Sequence, residues 1–147
     1  MITLKVPKKI QALIVAATCV SLITGVAFYI LNSWITVEGD FGPEKHPWQF
    51  SILKIHAASA FTIIILYGAM WGSHVQLGWR SKTSRKSGIS LTALLGLQIL
   101  SAYLLYYLSS DTTREFVAYI HLGIGLSIPA SLIIHIITAR KRRNARG

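Results

Sequence analysis

Charged side chains interrupt this sequence so rarely that they divide it into four long uncharged runs: Ile10 to Val37, Ile55 to Trp79, Ser87 to Ser110 and Phe116 to Ala139. Each exceeds the ~20 residues an α-helix needs to cross a ~30 Å hydrocarbon core. Lipid offers no hydrogen bonds, so a spanning backbone must satisfy its own polar groups, and helices do so within one segment. With 52% hydrophobic and only 14% charged residues, the 147-residue chain lies far from a soluble domain of that length. The expected fold class is all-α: an integral membrane four-helix bundle, one transmembrane domain over residues 1–147, with helices at about 10–31, 50–77, 87–108 and 114–139.

A formal charge of +10 raises the question of nucleic acid, and its distribution answers it. Lys5, Lys8 and Lys9 precede the first span. Arg80, Lys82, Arg85 and Lys86 join the second to the third, and Arg140, Lys141, Arg142, Arg143 and Arg146 follow the fourth. All five acids, Glu38, Asp40, Glu44, Asp111 and Glu115, fall in the two other connections. The positive-inside rule then puts both termini on the cytoplasmic side, N-in and C-in, with the acidic loops outside. The expected partner is membrane lipid, anionic headgroups meeting the basic tail, in a bacterial-type cytoplasmic (inner) membrane crossed several times. No aromatic-interleaved basic groove accompanies the charge, so nucleic acid is not expected.

Cys19 is the sole cysteine, which excludes a disulfide framework, a zinc set and a Cys-x-x-Cys-His attachment site for covalent heme; it is expected to pack inside the first helix. The first apolar run is too long for a signal-peptide core and is read as a retained helix. Ala17, Ser21 and Gly25 form a small-residue stripe along it, suited to close helix contact. In the first outer connection, Gly39-Asp40-Phe41-Gly42-Pro43 reads as a turn-rich run, and Trp48 as an interfacial anchor. His46 lies there outside the apolar runs: a solvated loop histidine, a contact to a heme propionate, a quinone-site residue or a docking residue. Tyr103, Tyr106 and Tyr107 close the third span as an aromatic belt, and Asp111, Thr112 or Thr113 is the expected cap of the fourth, which Pro129 should kink.

The second and fourth spans alone carry histidine within them: His56 and His74, His121 and His135. An imidazole in hydrocarbon needs a partner, so each is a functional candidate set against a plain interhelical hydrogen bond. At about 100° per residue, His56 and His74 share one face of an ideal helix roughly 27 Å apart, and His121 and His135 share a face roughly 21 Å apart. Both spans run outside to inside, so His56 matches His121 near the outer end and His74 matches His135 near the inner end. Two neutral imidazoles facing each other at one depth are an axial pair for a heme iron, whereas zinc usually asks for three or four protein ligands. The expectation is two non-covalent bis-histidine b hemes, with His56, His121, His74 and His135 as metal ligands. The two spacings differ by about 6 Å of helix, which tilt, the Pro129 kink or a bulge near Gly68 to Gly72 would absorb.

Taken together, His46-Pro47-Trp48, His56, Gly72-Ser73-His74, Gly78-Trp79-Arg80, Arg85-Lys86-Ser87-Gly88, Tyr103-Leu104-Leu105-Tyr106-Tyr107, His121 and His135 resemble the small four-helix diheme b-type membrane cytochromes. These include the cytochrome b subunits of bacterial formate dehydrogenases and hydrogenases, and the group is similar to the four-helix heme core of cytochrome b in bc complexes. In the dehydrogenase and hydrogenase subunits the first helix contributes a ligand. Here it has no histidine and the second span has two, which is closer to the bc-type layout. The resemblance implies electron transfer across the membrane between a quinone pool and a redox partner at the outer face, a multiheme cytochrome c or an oxidoreductase. The chain would then be an electron-transfer subunit rather than a stand-alone enzyme. Arg114 and Lys54 are candidates for pairing an outer heme propionate, and Arg80 and Arg140 an inner one, although topology and lipid contact explain the last two equally well. The rival readings are a non-catalytic anchor or assembly subunit, whose histidines only hydrogen-bond, and a small proton or metal transporter, disfavoured by spans without carboxylates.

Overall fold

The computed structural model describes residues 6–80 and 85–144. Lys5, Lys82, Arg146 and the remainder of the inner connection, 81–84, lie outside the described residues. The described chain is all-α apart from one hairpin: α1 (Lys8–Ser33), β1 (Thr36–Gly39), β2 (Gly42–Lys45), α2 (Trp48–Met70), a π-turn (Trp71–Val75), α3 (Gln76–Arg80), α4 (Arg85–Tyr107) and α5 (Asp111–Asn144). Among the described residues four segments are long and apolar enough to cross a membrane: Lys8–Ser33, Trp48–Arg80, Arg85–Tyr107 and Asp111–Arg142. Most overrun the apolar windows by a few residues. The windows measure hydrocarbon thickness, whereas the helices continue among Lys8, Lys9, Arg80 and Arg140, whose charges headgroups and water solvate.

Surface chemistry points the same way. Ile23, Phe61 and Ile65 are each about two-thirds exposed, and the buried apolar residues among those described are only Ala17, Val117 and Ile128. Burial on that scale could not offset the entropy of ordering the chain in water, so lipid must cover these faces. The protein is a multi-pass membrane protein. Cys19 is exposed on α1 rather than packed inside it, which corrects the expectation: a thiol is a small hydrophobe and sits as well against lipid as against protein.

The chain groups into two compact units, Val6–Ala69 and, among described residues, Met70 onward. In the first, α1 begins after Pro7, whose carbonyl accepts the Gln11 N–H at 3.0 Å. The connection read as a turn-rich run is an antiparallel hairpin, with Thr36 opposite Lys45 and Gly39 opposite Gly42. Gly42 has φ 119°, a conformation L side chains rarely adopt, so the turn depends on glycine there. Lys45 Nζ donates to the Asn32 carbonyl at 2.7 Å, and Gln49 Nε2 donates to Asn32 Oδ1 at 2.9 Å, fastening the returning strand and the start of α2 to the end of α1. His46 is half-buried rather than solvated, and its Nδ1 accepts the Trp48 N–H at 3.2 Å as α2 begins.

In the second unit α4 and α5 pack along each other and α3 packs on α4. The cap of α5 is Ser110 and not Asp111, Thr112 or Thr113: the Arg114 N–H reaches the Ser110 carbonyl at 2.9 Å, and Thr113 Oγ1 donates to Ser110 Oγ at 3.2 Å. A residue with a free backbone conformation just outside the helix is what a cap requires, and Asp111 is already the first helical residue. Pro129 lies inside α5, which runs through it unbroken; having no N–H, it leaves the Gly125 carbonyl without its usual helical donor.

Candidate functional site

The π-turn is the first structural feature of the inner histidine site. The Gln76 N–H bonds to the Trp71 carbonyl, an i to i+5 closure that takes one more residue than an α-turn, and His74 sits inside it. The arithmetic that put His56 and His74 on one face assumes 3.6 residues per turn throughout, and Trp71–Val75 departs from it. A bulge near Gly68 to Gly72 is one of the three ways to absorb the difference in spacing, and the π-turn overlaps that stretch at its C-terminal end. Trp71 and Trp79 meet edge to face, centroids 5.6 Å apart, which braces the π-turn against α3.

From this turn the His74 ring reaches the His135 ring on α5: their centroids are 6.1 Å apart and their planes perpendicular, at 90°. His135 Nδ1 lies 3.1 Å from the Ser87 hydroxyl near the start of α4. Gly88 beside it brings the α4 backbone close, a Cβ there standing 3.6 Å from His135 Cε1. Thus two sequence-predicted ligands, His74 and His135, are brought together, and a serine not weighed from sequence holds one of them.

His121, on the same helix as His135, has a different setting. Its Nδ1 lies 2.9 Å from Ser101 Oγ and its Nε2 lies 3.0 Å from Gln98 Nε2, both on α4. Ser101 is the most deeply buried polar residue among those described, at 5% exposure. Gln98 is itself confined, because a Cβ at Gly125 would stand 3.1 Å from its Nε2. The signal for this cluster was Gln98 and Ser101 at i, i+3 inside an otherwise apolar run; an uncharged glutamine is easily passed over.

His56 is described within the first unit. Its Nδ1 lies 2.9 Å from the Ser21 carbonyl and 3.4 Å from Thr24 Oγ1. A carbonyl only accepts, so Nδ1 carries the proton in this contact and, in the neutral ring, Nε2 the lone pair. The ring lies over Gly25, where a Cβ would come within 2.9 Å of His56 Cε1. The stripe of Ala17, Ser21 and Gly25, expected as a plain contact surface, therefore seats an imidazole.

The predicted propionate partners are all exposed: Lys54, Arg80, Arg114 and Arg140. Lys54 Nζ lies over the Phe50 ring, 4.3 Å from its centroid. Tyr103 and Tyr107 stack with centroids 4.6 Å apart and are exposed, as a headgroup-level belt would be.

A heme iron takes four ligands from its macrocycle and needs two from the protein. Metal–imidazole bonds of about 2 Å place two axial nitrogens roughly 4 Å apart, and half a ring on each side puts the centroids about 6 Å apart. The His74 and His135 centroids, 6.1 Å apart, match that spacing. His121 does not fit as it stands, because either ring nitrogen would have to give up a hydrogen-bonding contact before meeting iron. No set of three or more His, Cys, Asp or Glu side chains among the described residues gathers to hold a bare metal ion. No protein-family model matches the chain, and no curated protein or solved structure matches it.

Proposed function

We propose that this protein is a b-type membrane cytochrome, an electron-transfer subunit with both termini cytoplasmic in a bacterial-type inner membrane. The observation that carries the reading is the perpendicular His74–His135 pair at 6.1 Å. When bound, heme supplies reversible one-electron chemistry at iron. His74 and His135 would hold it through one nitrogen each, and α5 and the π-turn bring the two rings together. Arg80 and Arg140, near the same end of the second and fourth spans, would meet its propionates. For His121 to serve an outer heme, Gln98 would have to release its Nε2. Quinone and an outer-face redox partner complete the proposed path.

A reduced-minus-oxidised visible spectrum of the purified protein, with pyridine extraction of heme, tests the reading: a b-type α-band is expected, and its absence with no extractable heme rejects it. The Gln98–His121–Ser101 cluster favours a second reading, in which the histidines only join helices of a non-catalytic anchor subunit. An edge-to-face imidazole contact also suits the His74–His135 spacing. The same spectrum separates the two.

A further inference from the structure

The inner site contains one residue whose placement exceeds what packing requires. Ser87 occupies the first turn of α4, and its hydroxyl stands 3.1 Å from His135 Nδ1. An imidazole can offer a lone pair to a metal through only one nitrogen at a time, and the hydrogen bond made by the other nitrogen decides which. We infer that Ser87 is the positioning residue of the His74–His135 site: by accepting a hydrogen bond from His135 Nδ1–H it leaves Nε2 as the nitrogen that would meet the shared metal and sets how strongly that nitrogen donates. The inference rests on the heme reading of this pair and adds to it a residue that tunes the site without touching the metal.

Two arrangements on α4 and one on the π-turn bear on Ser87. Ser87 is held on a helix rather than a loop, so its hydroxyl is fixed relative to α5, on which α4 packs. Gly88 keeps the α4 backbone against the ring, with a hypothetical Cβ at ordinary contact distance, 3.6 Å. His74 is presented from a separate element, the π-turn, whereas Ser87 meets His135 from α4. Outer partners of metal-bound histidines typically influence affinity or activity by about 10–100-fold. A ring that donates its second proton to an oxygen is the more basic ligand, which favours oxidised over reduced iron.

The test is a redox titration of the purified, heme-loaded full chain, with the inner heme identified as the component lost in His74→Ala. Ser87→Ala should move the oxidised-to-reduced equilibrium of that heme toward reduced iron by threefold or more. Ser87→Thr, which keeps the hydroxyl, should stay within threefold of the unaltered protein and retain its low-spin electron paramagnetic signature. If Ser87→Ala sheds the inner heme and Ser87→Thr keeps it, the inference also stands. A shift below threefold in Ser87→Ala, or loss of heme from both variants alike, overturns it. Absence of heme from the unaltered protein removes the cytochrome reading and the inference together. Heme present with an unmoved potential removes the inference alone.

Discussion

His121 and His135 ride on one helix and meet the same neighbour, α4, yet they are satisfied in different ways. At His121 two ring nitrogens face two α4 side chains, Ser101 and Gln98, and the imidazole is complete within a protein hydrogen-bond network. At His135 α4 supplies one hydroxyl, from Ser87, while the ring faces a second imidazole. A buried polar ring must be paired, and either solution serves. The difference teaches that the setting of an intramembrane imidazole is written on the helix it packs against as much as on its own. On the proposed reading α4 shapes both settings, placing Ser87 at His135 and both Ser101 and Gln98 at His121.

Substitutions at the two rings and at their α4 partners should separate these settings. The largest expected effect is at the inner pair: His74→Ala and His135→Ala should each remove the same heme component, seen as complete loss of one part of the α-band. If the two variants lose different components, the pairing is wrong. Next, Gln98→Ala should free His121 Nε2 and raise the heme-to-protein ratio toward two from a lower value, measured by pyridine extraction. An unchanged or lower ratio would show that the outer cluster is structural.

Smaller effects contrast the glycines that face histidine rings. Gly25→Ala forces the His56 ring, held by the Ser21 carbonyl, away from a contact of 2.9 Å and should cost about 1–3 kcal/mol in detergent unfolding. Gly88→Ala meets His135 at 3.6 Å and should change stability by less than about 0.5 kcal/mol. Equal costs at both would mean that the rings are equally free to move. Last, Asn32→Ala removes the side-chain acceptor of Gln49 while leaving the carbonyl that holds Lys45, and should cost about 1 kcal/mol without altering either histidine site.

The spans were legible because charge is excluded from hydrocarbon, and the runs between Lys9, Glu38, Lys54, Arg80, Lys86, Asp111, Glu115 and Arg140 state that exclusion directly. The inner pair was legible too, since His74 and His135 lie a similar distance before a basic cluster. Other features left weaker traces. Thr36–Gly39 and Gly42–Lys45 are too short for alternation to reveal strands, and Gly42-Pro43 reads as punctuation. A π-turn adds a residue without changing composition, so counting along the second span passes through Trp71–Val75 unaware of it. Gln98, Ser101 and Ser87 became visible only when packing brought them to a ring, because which polar residue meets which histidine depends on how α4 lies on α5.

The π-turn also bears on how this gene can change length. Deleting one residue from a membrane-spanning α-helix rotates all that follows by about 100° and shortens the span by about 1.5 Å, and the helix has no slack to absorb it. Within Trp71–Val75 the surplus residue is already present, so a deletion there could close the turn to α geometry and leave the hydrogen-bond ladder whole. The second span is thus the one in which a single-codon loss could be accommodated by the backbone. The cost would fall on the direction in which His74 points, and so on the site rather than on the fold.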